Sequence, residues 1–289
     1  MKVFICADME GATGIVHRDQ LLPEGGPAYA AGCALLTGDV RAACAGAVEA
    51  GATELLISEG HAHMRNIAIE ALPPQARLLR GPAAWPQKPH CQIAGLDSTF
   101  GVALFVGFHS RAGTPGGLLS HTWAGAIVHE ITVNGAIVGE TALNALLCGA
   151  LGVPVGMVAG ADDLCAEAAA DLAGCGPVAT VCTKQALGFN LAACWGPQAT
   201  GPALHAAAAA AVRHARDGAL RPLTVGAPVV ATLETHRREM ADRMMLATPG
   251  LRRDGPRRVV AEAPGVSDAL STLWRAVTEA FHEPQGWLR

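Results

Sequence analysis

Asp8-Met9-Glu10 directly follows the apolar run Lys2 to Ala7 and places two carboxylates two residues apart. In an extended segment both would face the same side. A divalent cation favours such a pair, and one carboxylate can bridge two ions. Two further apolar runs end on histidine. Leu55-Leu56-Ile57 leads into Ser58-Glu59-Gly60-His61, and Val102 to Val106 leads into Gly107-Phe108-His109. Neutral imidazole is a standard zinc ligand. His61 lies nearer its strand end than His63, which reads as a supporting or surface residue. His121 follows in the glycine-rich stretch 110–122, and Glu140 sits where a hairpin strand gives way to a helix. Three carboxylates and up to three histidines suit a dinuclear zinc site with one free acid–base group. Manganese or cobalt would fit the same mixed nitrogen and oxygen donors.

The elements that must position these groups read as α/β. Lys2–Ala7, a helix over 28–50 and the run at 55–57 make a βαβ unit. The strand Val102 to Val106 repeats the pattern, so three strands deliver polar side chains at one sheet edge. Open α/β sheets bind ligands at that edge. Ile127 to Val133, Asn134-Gly135 and Ala136 to Val138 predict a hairpin with a type I′ turn. A helix is expected over 141–151 and a buried strand over 153–159. Further helices are expected at 161–173, 201–217 and 266–281, and strands at 177–183, 227–233 and 257–262. The fold class is therefore a mostly parallel sheet flanked by helices, with a second, smaller α/β domain. Residues 1–160 are expected to form the metal-binding domain and 161–289 the smaller one. Residues 218–226, 249–257 and 263–265 read as turns.

About half of the 289 residues are apolar and 16% are charged, with a formal net charge of −4. That composition can bury a sizeable core. It offers no basic stripe for nucleic acid and no polybasic cluster for an anionic membrane. No apolar run of membrane-spanning length is read, and the acidic residues within the first ten positions do not resemble a secretory leader. Nine cysteines without a CxxC pair read as buried free thiols, which places the protein in the cytoplasm. His17, His90, His129, His205, His214, His236 and His282 read as structural or solvated. No Walker A motif and no GxSxG elbow is found.

The stretches ADMEG (7–11), SEGHAHMRN (58–66), GFHSRAGTPG (107–116), LSHT (119–122) and VGETALNA (138–145) together resemble the D-aminopeptidases of peptidase family M55, the DppA type. The resemblance covers residues 1 to about 160 and is weaker beyond, where Thr183-Lys184-Gln185 is the best local match. It implies Asp8, Glu10, His61, His109 and Glu140 as ligands of two zinc ions and His121 as the catalytic histidine. It further implies a fold of two α/β domains, a small D-amino-acid peptide such as D-Ala-D-Ala as substrate, hydrolysis by a metal-bound hydroxide, and a homo-oligomer. The best-known member of that family assembles as a decamer of two stacked rings with active sites facing an inner chamber, and the resemblance implies a decamer of two stacked pentameric rings here. Two departures are Cys6, where the family usually has serine, and Glu59-Gly60-His61, where the family has an acidic-serine-histidine stretch. The residues taken alone leave two other readings open: a dinuclear metal hydrolase acting on another small amide or a phosphoester, and a non-catalytic metal- or peptide-binding homologue.

Overall fold

The structure, a computed structural model, describes residues 1–82 and 86–281. His282, read above as structural or solvated, lies outside them. The chain opens with β1 (Lys2–Ala7), α1 (Pro27–Glu49), β2 (Glu54–Glu59), β3 (Ala76–Leu79) and β4 (Phe100–Phe108). A hairpin of β5 (Val128–Val133) and β6 (Ala136–Ile137) follows, then α2 (Glu140–Ala150), β7 (Val155–Ala161) and α3 (Asp162–Asp171). The remainder comprises β8 (Ala179–Gly188), β9 (Leu191–Cys194), α4 (Pro197–Arg216), β10 (Val229–Thr235), α5 (Arg238–Ala247), β11 (Leu251–Arg253), β12 (Arg258–Ala263) and α6 (Val266–Ala280).

Seven strands form one sheet in the order β3-β2-β1-β4-β7-β8-β9, parallel except for the antiparallel β8–β9 pair. Its central strands are apolar on both faces, as expected where helices cover both sides. Val3, Ile5 and Ala7 enter a core with α1 and α4, while Phe4 and Cys6 enter the core on the opposite side with α2 and α3. Pro27 at the first turn suits the start of α1. Gly51, at φ 99°, ends it, and Ala52 N donates back to Ala47 O at 2.9 Å. Gly46 lets α1 and α4 touch, since a Cβ there would stand 2.0 Å from His205 O. The 23 residues of α1 are long and apolar enough to cross a membrane, a length the sequence reading passed over; half of the helix's most apolar window is buried within the protein.

The smaller sheet is antiparallel, in the order β11-β12-β10-β5-β6. Asn134 and Gly135 both have positive φ, 48° and 84°, as a type I′ turn requires. α6 packs between α2 and the strands β10 and β12, so the two sheets share one core. They also interleave along the chain. β5 and β6 precede residue 160 yet belong to the smaller sheet, and β8 and β9 follow it yet belong to the larger. Residue 160 therefore does not separate one sheet from the other.

Four elements escape the hydrophobic pattern. β3 and β9 are four-residue edge strands of the larger sheet. β11 lies inside 249–257, read above as a turn, and earns its strand state by pairing with β12. α5 is a polar helix that buries only Met240, Ala241 and Met244.

Candidate metal centre

The sheet's strand order reverses direction at β1: the chain moves outward to β2 and β3, then returns to place β4 on the other side. A crevice forms at such a switch point, beyond the carboxyl ends of the strands. Asp8 follows β1, His61 follows β2 and His109 follows β4. Two glycines bring these exits together. Gly107 has φ 77°, and a Cβ on it would lie 2.2 Å from Asp8 O; a Cβ on Gly11 would lie 1.8 Å from Phe108 O. The backbones are also joined directly, Gly11 N donating to Gly107 O at 2.8 Å. The segment after β1 is not extended as expected. It bends at Met9, with Ala12 N donating to Met9 O, and the bend carries both carboxylates to the same side of the crevice.

All six residues singled out from the sequence meet there. Asp8 lies between two histidines, its Oδ1 3.4 Å from His61 Nδ1 and its Oδ2 3.6 Å from His109 Nε2. Glu10 Oε2 stands 3.1 Å from His61 Nδ1. Glu140 Oε1 stands 3.4 Å from His109 Nε2. Glu140 opens α2, where the helix dipole favours a carboxylate, and it accepts a hydrogen bond from Trp123 N at 2.5 Å. His121 stacks on His109 with ring centres 3.9 Å apart, and its Nε2 lies 4.0 Å from Glu10 Oε1.

Each imidazole spends one nitrogen on a backbone carbonyl. His61 Nε2 meets Leu21 O at 2.9 Å, His109 Nδ1 meets Ser110 O at 3.0 Å, and His121 Nδ1 meets Leu119 O at 2.9 Å. A donor hydrogen on that nitrogen leaves the lone pair of the other facing the carboxylates, which is how ligating histidines are oriented. Beyond the facing groups of the cluster itself, Glu10 Oε2 and His109 Nε2 are buried without a hydrogen-bond partner. Buried polar atoms are rarely left so. Converging lone pairs a little over 3 Å apart fit donors around a shared cation. The donor atoms of Asp8, Glu10 and His109 lie within 4.8 Å of one another, as do those of His109, His121 and Glu140.

The electrostatics agree. Burial, then the charge of Glu10, pushes Asp8 up to about 7. Burial works against a charged His109, yet Glu140 with Glu10 and Asp8 outweighs it and lifts His109 to about 10. Among protein groups alone, then, the cluster holds positive charge beside its carboxylates, the role a divalent cation fills. His121 differs: burial and the neighbouring His109 hold it below the ordinary histidine value. Its side chain is also the most open of the three, 25% exposed against 8% and 1% for His61 and His109.

Several further residues complete the site, of which sequence reasoning had singled out only Cys6 and the Thr183-Lys184 pair. Gln92 Nε2 donates to Asp8 Oδ2 at 3.2 Å, and Asn144 Nδ2 donates to Gln92 Oε1 at 2.5 Å. Asn144 stands one helical turn after Glu140, so one face of α2 presents a carboxylate and the brace of another. Cys6 Sγ donates to Gln92 O at 3.4 Å. Lys184 is fully buried, and its ammonium holds Glu10 O, Ala12 O and Ile15 O at 2.6–2.7 Å. Thr183 Oγ1 donates to Gly11 O at 2.6 Å. The Thr183-Lys184 match was the only sequence signal for this clamp. Asp163 Oδ2 accepts from Ser110 Oγ and Leu118 N, tying the glycine-rich stretch to α3.

The cluster lies at the floor of a cavity of about 770 Å³ that Trp123, Val128, Phe189 and Phe281 help to wall. His129 and His236, read as bland, also line it. His63 is exposed, and it is absent from the lining. His17 caps a 3-10 turn, His90 contacts Ser267 Oγ, His205 pairs with Glu49, and His214 contacts Pro177 O. All nine cysteines are free; Cys182 and Cys194 are exposed, contrary to the reading of buried thiols.

Comparison with known proteins gives the same answer three times. The family model for M55 D-aminopeptidases matches residues 1–275. The D-aminopeptidase of Bacillus subtilis (strain 168) is 36% identical over 224 residues, covering 78% of this chain and 77% of that protein. The solved structure of the Zn-dependent D-aminopeptidase DppA from Bacillus subtilis, described as a self-compartmentalizing protease, superposes with a TM-score of 0.88 at 30% identity, over 98% of this chain and 99% of that one. On sequence and on fold, this chain belongs to the M55 family of D-aminopeptidases.

Proposed function

We propose that this protein is a zinc-dependent aminopeptidase that releases the amino-terminal residue of short peptides, with D-residue peptides such as D-Ala-D-Ala as substrates. In this reading two zinc ions per chain are held by Asp8, Glu10, His61, His109 and Glu140. The carrying observation is the buried convergence of three carboxylates and three backbone-oriented imidazoles, with Glu10 Oε2 and His109 Nε2 otherwise unpartnered. The likeness to the Zn-dependent enzyme supports the choice of metal. Bound zinc supplies Lewis acidity toward the scissile carbonyl and a nucleophilic water at neutral pH.

The chain's own residues do the rest. Asp8, between His61 and His109, would be a shared ligand at the centre of the donor set if zinc is bound. His121 Nδ1 is engaged with Leu119 O, so the proton moves at Nε2, which faces the cavity. The lowered pKa keeps His121 neutral at rest. Nε2 is thus free to take up a proton and pass it to the departing amine, or to hold the tetrahedral oxyanion by donating to it. The apolar wall of Trp123, Val128 and Phe189 limits water around that transfer.

The test is release of free alanine from D-Ala-D-Ala and L-Ala-L-Ala in parallel, with zinc-replete protein, with and without a chelator. Chelator-sensitive cleavage of the D-peptide alone is the expected result. Cleavage of the L-peptide at an equal rate sinks the D-selective reading, and cleavage of neither sinks the peptidase.

Assembly as a decamer of two stacked pentameric rings belongs to the same proposal. It is supported by the self-compartmentalizing description of the similar enzyme and by the β8–β9 hairpin, which exposes Leu187, Phe189, Leu191 and Trp195. Apolar patches of this kind mark interaction surfaces. A monomeric mass by light scattering would overturn it. A cytoplasmic location is proposed on the free thiols, which suit a reducing compartment.

A further inference from the structure

The cavity above the metal cluster is acidic at its floor and apolar along its walls, and among its lining residues Arg18 alone is a lysine or arginine. A short peptide carries an ammonium at one end and a carboxylate at the other. Both seek a metal site, and only the first must arrive there for amino-terminal cleavage. A cation at a distance from the reacting end would give the carboxylate a partner of its own.

Arg18 has the attributes of that partner. Its guanidinium makes no ion pair or hydrogen bond with the described residues, whereas the neighbouring Asp19 pairs with His17. The contrast with Arg111, on the glycine-rich stretch, is direct: that side chain is engaged by Glu167 at 3.4 Å and does not line the cavity. The turn bearing Arg18 is also held firmly. Gln20 Oε1 accepts from Val16 N and His17 N, its Nε2 donates to Gly14 O, and Asp19 N donates to His17 Nδ1. Leu21 N donates to Arg18 O at 2.9 Å, and Leu21 O is the carbonyl that His61 Nε2 contacts. The backbone of Arg18 is thus two hydrogen bonds from a residue of the metal cluster. A planar guanidinium matches a carboxylate in a two-pronged pairing.

We propose that Arg18 binds the carboxyl-terminal carboxylate of the substrate, so that the enzyme selects short peptides with a free carboxyl end and orients them amine-first toward the cluster. This rests on the aminopeptidase reading and adds the feature of the substrate that sets its direction.

The experiment compares D-Ala-D-Ala with its carboxamide, D-alanyl-D-alaninamide, on zinc-replete wild type, Arg18→Gln and Arg18→Lys. Two quantities are measured: kcat and KM for each peptide, and the Kd of each by equilibrium titration. Wild type should prefer the free acid. In Arg18→Gln the acid-over-amide preference should fall by about 10- to 100-fold, the range of one charged hydrogen-bonded contact. The loss should lie in KM and Kd and leave kcat for the acid within about twofold, as for uniform binding. Arg18→Lys should recover part of it. An unchanged preference in Arg18→Gln, whether both peptides weaken together or neither does, overturns the proposal. If wild type hydrolyses neither peptide, the aminopeptidase reading has failed, and the Kd ratio still decides whether Arg18 reads the carboxylate.

Discussion

The carboxyl edge of the seven-stranded sheet and the five-stranded sheet both border the same cavity, but they contribute to it differently. In the parallel sheet β1, β2 and β4 all end on the same side, so Asp8, His61 and His109 leave three strands at neighbouring points. In the antiparallel sheet neighbouring strands run in opposite directions, and no end gathers consecutive exits. That sheet brings Val128 and His129 of β5, with His236 just after β10, as wall residues. The difference teaches that strand direction, rather than burial or composition, decides where a sheet can concentrate ligands. The strongest way to break the comparison is to remove one ligand from the parallel edge. Glu10→Ala should lose zinc, measured by elemental analysis of the folded protein. It should also lose turnover by about 10³-fold or more, the several kcal/mol that a metal supplies to the transition state. Wild-type zinc content in this variant would mean the edge does not hold the metal.

His121 sharpens the comparison because it comes from the glycine-rich stretch and not from a strand end. His121→Ala should retain zinc and lower kcat by about 10²- to 10⁴-fold, the usual contribution of a general acid–base group. Loss of zinc together with turnover would instead make it a ligand, an outcome its proximity to His109 and Glu140 makes worth measuring. A smaller effect is expected one layer out. Asn144→Ala removes the group that steadies Gln92 against Asp8. Zinc affinity in a chelator competition should fall by about 10- to 100-fold, as when a ligand's hydrogen-bonding partner is lost, with the circular dichroism spectrum preserved. Unchanged affinity would leave Gln92 and Asn144 as packing only.

Asp8, Glu10, His61 and His109 were legible because they follow apolar runs that read as buried strands, and strand ends of a parallel sheet converge; Glu140 was legible from its place between a hairpin strand and a helix. The type I′ hairpin was legible for a similar local reason, the Asn134-Gly135 pair. The roles of Gln92, Asn144 and Lys184 were not, although Lys184 lay in a motif match, since those roles rest on contacts spanning 84, 52 and 174 residues of sequence. Nothing local distinguishes a buried lysine that gathers three carbonyls from an exposed one. β3, β9 and β11 were missed because three or four residues carry no periodicity, and their strand state is conferred by neighbours. The interleaving of the two sheets is likewise invisible to a reading that moves along the chain, because α6 joins both through side-chain packing.

Leu233→Ala should have the smallest effect on the chemistry while still being costly to the fold. Leu233 is fully buried on β10, the middle strand of the smaller sheet, with Ile131 and Val259 as its register partners on either side. Truncating a core leucine removes buried methyl groups and leaves a cavity that the neighbours only partly refill, about 2–5 kcal/mol. Chemical denaturation of the zinc-loaded protein should show a loss of that size. Zinc affinity of the folded fraction and kcat should stay within about twofold, because no ligand and no ligand brace hangs from β10. The shared core gives the comparison its point of failure: α6 touches both β10 and α2, and α2 carries Glu140 and Asn144. If zinc affinity drops in proportion to stability, packing strain travels from β10 through α6 to α2. The smaller sheet would then be part of the machinery that positions the centre, and strand direction alone would no longer explain the site.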